Sequence, residues 1–264
     1  MRQQRLFRAE AIVLRERDFG EADRILTLLT PAGKITAMAK GIRRATSRKA
    51  GHLGLFFRAQ LLLARGRTFY IVSQAESLDE YAGLRGDLAR FTYACYIAEL
   101  MDRFVQEEEE SPELFELMSQ ALGWIAHEHD MRLWTRYYEL RLLALAGYHP
   151  QLFQCAHCET ALQPVRNYFG PQEGGVLCAN CGPQAMRAWP ISLNAQKVLR
   201  FLATRPVQEV ARLGMHESTQ AEIETLLQHY IEHILERDVQ SLTVLKRLRN
   251  DLRRCSTSSS RSAS

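Results

Sequence analysis

The sequence predicts an α+β chain: an N-terminal five-stranded β-barrel, then an all-helical domain with a cysteine ribbon inserted in it. Three observations predict this. The first 75 residues carry short apolar, β-branched runs divided by tight-turn signals. Beyond Glu80 the apolar residues recur at helical spacing. Between residues 151 and 190 lie two Cys-x-x-Cys pairs among many Gly and Pro residues.

The strand candidates are "EAIVLRERDF", "DRILTLLT", "ITAMAK", "LFFRAQLLLA" and "TFYIVSQA". Pro31 and Gly33 in "TPAGK" suit a tight turn, and "RGR" ends the fourth strand. Five short strands within residues 1–80 fit a small closed barrel, of which the OB-fold is the commonest five-stranded form and often a nucleic-acid binder. The one long connection, "KGIRRATSRKAG" from Lys40 to Gly51, joins the third and fourth strands. Its two glycines and the Ser and Thr between them predict a loop without a fixed conformation of its own.

In "LARFTYACYIAELMDRFV" the residues Leu88, Phe91, Cys95, Ala98, Met101 and Val105 mark one helix face, which places Cys95 in the core. "EEEE", Glu107 to Glu110, reads as a solvated helix end or loop. Ser111 and Pro112 read as N-cap and first helical residue of a second helix, running to about His129. "MRLWTRYYELRLLALA" stops at Gly147. Helices resume at "LNAQKVLRFLA", and a last one starts near Thr219, with Thr219 and Glu222 as a capping box, and continues towards Arg254. The domains expected are 1–80 for the barrel, 81–150 with 184–250 for the helices, and 151–183 for the ribbon. The serine-rich end, 251–264 with Cys255 as an incidental thiol, reads as a disordered tail.

Charge is uneven. Residues 1–80 hold 15 Lys and Arg against 8 Asp and Glu, whereas the whole chain is only +4. No acid occurs from Arg24 to Ala75, and five of the twelve residues Lys40 to Gly51 are basic. Such a block predicts a surface for a polyanion. The leading phosphate contacts are Lys34, Lys40, Arg43, Arg44, Arg48 and Lys49, with Arg65 and Arg67 from the turn after the fourth strand. Phe56, Phe57, Phe69 and Tyr70 are candidates for stacking on bases, with burial in the barrel expected for at least two of them. No apolar run approaches the ~20 residues of a membrane span, and the N-terminus lacks the pattern of a signal peptide, so the expectation is a cytoplasmic protein.

Cys155 with Cys158 and Cys178 with Cys181 have zinc-ribbon spacing. Each Cys-x-x-Cys turn aims two thiolates at one ion, and two turns complete a tetrahedron. Soft thiolates select zinc, and four of them leave no open position for catalysis, so one structural Zn2+ is expected. His157 reads as exposed and not a ligand. Asn167 to Phe169 and Val176 to Leu177 supply short strands between the pairs.

Catalytic patterns are weak. "HYIEH" places His229 and His233 one helical turn apart beside Glu232, as in one metallopeptidase class, but such enzymes draw a third ligand from well downstream and 31 residues follow here, so the expected role is a polar or half-buried helix face. The acids Glu16, Asp18, Glu21 and Asp23 suit magnesium, or salt bridges with Arg15, Arg17 or Arg24. No phosphate-binding glycine loop or nucleophile elbow is present, and no other catalytic set appears.

Several blocks, in order, resemble the RecO family of bacterial recombination mediators: "EAIVL", "GEADRIL", "TPAGK" and "AKGIRR" with Ser47; "LLALAGYHPQLFQCAHC" and "GGVLCANC"; and "YIEHILERDVQSLTVLKRL". The chain departs where many members carry a Gln-Pro-Phe-like sequence after the basic loop; here it is "HLGLFF". Some members lack the zinc cysteines. The resemblance implies a non-enzymatic DNA-repair factor of the RecF pathway that binds single- and double-stranded DNA and anneals complementary strands. It also implies that, with RecR, such a protein helps load RecA onto single strands coated by the single-strand-binding protein SSB, whose acidic C-terminal tail binds the helical domain. The competing reading is a zinc-ribbon and OB-fold adaptor of transcription or translation.

Overall fold

The structure, a computed structural model, describes residues 6–107, 109–236, 241, 244 and 245. The described residues fall into two compact units, one built on 6–129 and one on 130–236.

The first unit opens with five strands: β1 (Leu6–Phe19), β2 (Asp23–Thr30), β3 (Gly33–Ala39), β4 (Arg58–Arg65) and β5 (Tyr70–Asp79). They close in the order β1-β2-β3-β5-β4, with β4 returning to β1. This is the five-stranded barrel the sequence predicts. β1 is long because it serves two partners. Its first half, Leu6 to Ile12, pairs with β4, and its second half, to Phe19, pairs with β2. A bulge between Val13 and Arg15 bends it from one to the other. Alternate residues such as Leu26, Leu28, Ala37, Leu61 and Leu63 fill the interior.

The fourth strand starts three residues later than its apolar run suggests. Phe56 has φ +68°, its N–H donates to the Val13 carbonyl at 2.9 Å, and the Phe57 carbonyl accepts from the Val13 N–H at 3.0 Å. Phe56 and Phe57 are buried, Phe56 against the Phe91 ring at 5.6 Å and Phe57 beneath the Arg85 guanidinium, so these two rings are apolar because they pack under the segment that follows the barrel and not because they are strand.

α1 (Leu88–Phe104) begins at the N-cap Asp87, whose side chain accepts from the amides of Ala89 and Arg90. Its buried residues are Thr92, Ala94, Tyr96, Ile97, Ala98, Leu100 and Met101. Leu88 and Phe91 are exposed and Cys95 is only half-buried. The predicted face is therefore corrected: the C-terminal half is enclosed almost all round, which erases a single stripe, while the first turn stands in solvent. α2 (Pro112–His127) starts at Ser111 as expected. The acidic run between them is also more than solvated chain. Lys34 and Glu107 form a β-bridge, the Glu109 backbone lies against Gly33, and the Ser111 N–H donates to the Pro31 carbonyl at 3.1 Å. Gly33, at φ +101°, has no room there for a Cβ.

The second unit contains α3 (Met131–Leu145), a sheet ordered β7-β6-β8, and three further helices. Its strands are β6 (Asn167–Gly170), β7 (Gly175–Leu177) and β8 (Trp189–Ile191). Its remaining helices are α4 (Leu193–Thr204), α5 (Val207–Val210) and α6 (Glu217–Leu235). β8 has no strand signal in the sequence because Pro190 sits in it; an edge strand tolerates that missing N–H. The predicted capping box is corrected. α6 starts at His216 and Glu217, and the Glu222 carboxylate accepts from the Ser192 N–H at 2.6 Å and its hydroxyl at 2.7 Å, fixing the N-cap of α4. Arg136 and Glu139 on α3 form a buried ion pair at 2.7 Å. The continuation of α6 towards Arg254 falls almost wholly outside the described residues, and the tail 251–264 with Cys255 falls wholly outside them. No described helix is long and apolar enough to cross a membrane.

Candidate nucleic-acid interface and metal centre

The loop from Lys40 to Gly51 is pinned, contrary to the expectation from its composition. The Gly41 N–H donates to Asp23 Oδ1 at 2.7 Å, and the Arg43 N–H to the Ala22 carbonyl at 3.0 Å. Residues 50–52 form a short 3-10 turn. His52 Nδ1 lies 3.1 Å from Ser77 Oγ, and Ile42 and Leu53 join the barrel core. Lys49 Nζ donates to the carbonyls of Lys40 (2.9 Å) and Val72 (3.1 Å), tying the loop to β5. Burial holds the Lys49 ammonium below the usual lysine range, with Asp23 opposing the shift.

The eight predicted phosphate contacts therefore separate by what they touch. Lys34 reaches Asp102 on α1, with its Nζ 3.1 Å from the carboxylate and bonded to the Asp102 carbonyl as well. Arg43 lies 3.5 Å from Asp18. Lys49 is spent on carbonyls. The other five, Lys40, Arg44, Arg48, Arg65 and Arg67, are exposed and form no ion pair among the described residues.

Of these five, Arg48 lines one cleft and Arg65 and Arg67 line another. One holds Arg48, Lys49 and His52 with Arg8, Gln60 and Gln74, over the outer face of β4 and β5. The other runs over β1, β2 and β3. It is lined by Arg15, Arg17 and Thr27 in one stretch and by Lys34, Arg65 and Arg67 in the next, with Thr36 and Phe69 common to both. The register explains the second cleft: Arg15, Thr27 and Thr36 lie in one cross-strand row, and Arg17, Ile25 and Met38 in the next. Arg15 is held by Thr27 (3.4 Å) and Asp102 (3.4 Å). Glu107 lines the far end. Sequence reading missed Arg8, Arg15 and Arg17 as members of these surfaces. The signal was present as basic residues at alternate positions of one strand, which share a face.

Three of the four acids named for magnesium have other partners, and the fourth, Glu21, is exposed. Arg24 bonds Glu16 (2.9 Å) and Asp18 (3.1 Å), and Asp23 caps the loop. Of the four aromatic candidates, Phe56 and Phe57 are buried, with Arg85 stacked 4.2 Å over the Phe57 ring. Phe69 and Tyr70 are half-buried, and Tyr70 packs edge-on against Phe7.

In the second unit the four cysteines converge, with all Sγ atoms within 4.8 Å of one another. A tetrahedral ion with metal–sulfur bonds of ~2.3 Å separates its sulfurs by about 3.8 Å. Cys158 and Cys178 stand 3.9 Å apart, which fits that geometry and not a disulfide. The Cys178 N–H donates to Cys155 Sγ at 3.3 Å, and Thr160 Oγ1 lies 3.1 Å from Cys158 Sγ. The thiols hold their protons unequally. The Thr160 hydroxyl brings Cys158 down to about 6, while Cys181, hydrogen-bonded to Cys178, is pushed up to about 12. A metal ion binds thiolates and releases such protons. His157 is exposed.

The knuckles are set by backbone. The Cys155 N–H donates to the Thr160 carbonyl at 2.8 Å, the Gly182 N–H to the Cys178 carbonyl at 2.9 Å, and Gly182 packs so closely on the Tyr168 ring that a Cβ has no room. Phe169 meets Tyr230 of α6 edge-on, and His229 stacks on Trp189 at 4.3 Å. Glu232 accepts from Gln228 at 2.8 Å. No third His, Cys, Asp or Glu joins His229 and His233 among the described residues. Within "HYIEH", His229 and Tyr230 pack on the ribbon while His233 faces solvent.

Barrel, basic clefts and four-cysteine ribbon define a class: an OB-fold protein whose helical C-terminal part carries a four-cysteine cluster that could hold a metal ion. The comparisons with known proteins specify it. The family model described as "Recombination protein O N terminal" matches residues 1–81, and "Recombination protein O C terminal" matches 85–243. The DNA repair protein RecO of Roseiflexus sp. (strain RS-1) is 44% identical over 255 residues, covering 97% of this chain and 90% of that protein. Proteins of the same name from Desulforudis audaxviator (strain MP104C) and Dehalococcoides mccartyi (strain ATCC BAA-2266 / KCTC 15142 / 195) are 38% and 35% identical over 92% of this chain. The chain belongs to the RecO family, and its role lies in DNA repair and recombination.

Proposed function

We propose that this protein binds single- and double-stranded DNA through its barrel without reading sequence, anneals complementary strands, and with RecR helps load RecA onto strands coated by SSB. The SSB C-terminal tail is the proposed ligand of the helical part, and the chain acts by binding and not by catalysis, in the cytoplasm, on the nucleoid. The observation that carries the reading is the set of exposed cations without acidic partners, Lys40, Arg44, Arg48, Arg65 and Arg67, on an OB barrel. Phosphate contacts supply affinity blind to sequence, and neutralising two strands lowers the repulsion that opposes their pairing while leaving base edges free. We further propose that the metal is one structural Zn2+ on Cys155, Cys158, Cys178 and Cys181, which folds the ribbon. The functional division is then 1–80, 81–150 with 184–250, and 151–183.

The test is annealing of complementary strands, bare and SSB-coated, by the intact protein and by a variant with Lys40, Arg44 and Arg48 replaced by Ala. Annealing by the former and its loss in the latter is the expected result. An intact protein that anneals neither substrate, and binds RNA in preference, would instead favour the adaptor reading.

A further inference from the structure

The two basic clefts differ in chemistry as well as in place. Because β1 leaves β4 for β2 at Ile12, the outer face of β4 and β5 and the outer face of β1 to β3 lie on different arcs of the closed barrel. The loop cleft, with Arg8, Arg48 and Lys49 against a single acid, Glu76, has no Phe, Tyr or Trp in its lining; its one ring is the imidazole of His52, whose Nδ1 lies 3.1 Å from Ser77 Oγ. The groove over β1, β2 and β3 has Arg15 and Arg17 on one side of Phe69 and Arg65 and Arg67 on the other; Arg15 is shared with Asp102, and of the two acids in the lining Glu16 is taken by Arg24 while Glu107 closes the far end.

Phe69 is placed by its own turn. Gly66 sits against the Phe69 carbonyl with no room for a Cβ, which closes the β4–β5 turn and leaves the ring half-buried in both stretches of the groove. A half-exposed ring between two pairs of guanidinium groups suits a strand whose bases are unpaired. Phosphates meet the arginines and a base stacks on the ring. A duplex keeps its bases stacked on one another and offers that ring nothing. The loop cleft, with charge alone, accepts phosphates of either form.

We propose that the Phe69 groove is a single-strand-selective DNA site, separate from the loop cleft, so that the barrel holds two strands at once during annealing. The inference rests on the reading of this chain as a DNA-annealing protein. It makes Phe69 the group that distinguishes single strand from duplex.

The experiment measures anisotropy of labelled DNA with the full chain, using an oligothymidine of about 12 nucleotides, within the span one OB-fold covers, and a duplex of equal length. Phe69→Leu keeps apolar bulk and removes the ring. It should weaken oligothymidine binding about tenfold, equivalent to ~1.4 kcal/mol and within the range for one stacked base, and change duplex binding less than twofold. Phe69→Trp should retain oligothymidine binding, which separates loss of stacking from misfolding. Arg44→Ala with Arg48→Ala should weaken both ligands by similar factors. Equal losses for both DNAs in Phe69→Leu, or no loss in either, overturn the assignment. Failure of the unaltered protein to bind either DNA overturns the proposed function itself, and is distinguishable because it needs no variant.

Discussion

Salt dependence provides the most direct test of the loop. Three of its cations, Lys40, Arg44 and Arg48, are exposed without ion pairs, and Arg17, Arg65 and Arg67 offer three more in the groove over β1 to β3. With no complement present, a single strand long enough to cross both the loop and the groove meets all six with its phosphates, and log K should then fall with log salt at a slope of about −4, taking roughly 0.7 per phosphate. Between about 50 and 200 mM salt that is a loss of roughly 300-fold in affinity. Replacing Lys40, Arg44 and Arg48 with Ala removes half of these contacts. The slope should become about −2, and the loss over the same interval roughly 20-fold. The assay is anisotropy of labelled oligothymidine titrated with protein at a series of salt concentrations. The control is Arg43→Ala, whose cation already lies beside Asp18 and should change the slope by less than any one of the three. An unchanged slope in the triple variant would refute the argument, because contacts that release no counterions are not phosphate contacts. A steeper response to Arg43 than to Arg44 would show that ion pairing does not sort these cations.

Other expectations follow from particular contacts. Lys49→Met removes the donor shared by the Lys40 and Val72 carbonyls and should cost about 1–2 kcal/mol in denaturant unfolding. Because burial lowers the folded pKa of Lys49 below its unfolded value, the unfolded chain holds the extra proton. Its contribution to stability should rise with pH between the lowered value and that of free lysine, and Lys49→Met should remove that rise. Chelation, or Cys155→Ser, should lower the thermal midpoint more than it alters DNA affinity where the fold survives; a selective loss of affinity would place the ribbon in contact with DNA. Arg136→Met leaves the Glu139 carboxylate buried beside it and should destabilise by about 3–5 kcal/mol. Glu222→Ala removes the acceptor that fixes Ser192 and should cost about 1 kcal/mol, read in chemical denaturation.

The elements that the sequence foretold are those whose signal is local. Strand runs between turn residues, Cys-x-x-Cys spacing, and Ser-Pro at the start of α2 each act within a few residues, so each is visible in a single chain. What was illegible depends on partners distant in sequence. "LFF" before β4 matches a strand in composition, but its backbone bonds go to Val13, more than forty residues upstream. Thr219 and Glu222 have the spacing of a capping box, yet Glu222 caps Ser192. Cys95 sits on an apolar stripe that the rest of α1 blurs, since Tyr96, Ile97 and Leu100 are as deeply buried as any residue of that stripe. Arg15 and Arg17 looked like partners for neighbouring acids; the register instead puts them over Thr27 and Ile25, and gives Glu16 and Asp18 to Arg24.

The acid-free span from Arg24 to Ala75 has a physical reading that charge counting alone does not provide. Five of its cations have structural partners: Arg24 bonds Glu16 and Asp18, Lys34 reaches out of the span to Asp102, Arg43 reaches back to Asp18, Arg58 bonds Glu10, and Lys49 donates to two carbonyls. Each of these acids lies outside the span, so the loop and the β2–β3 turn are fixed without an acid inside the loop. An acid inside the loop would have satisfied Arg44 or Arg48 locally and cancelled the field a phosphate meets. Ordering the loop by backbone carbonyls and remote carboxylates therefore keeps it rigid and leaves its exposed charge uncompensated. A loop built this way meets DNA already arranged, and less binding energy is lost to ordering it. A protein that must take up and release strands repeatedly gains from that economy, because affinity then rests on charge, which adjusts with salt and with competing anions.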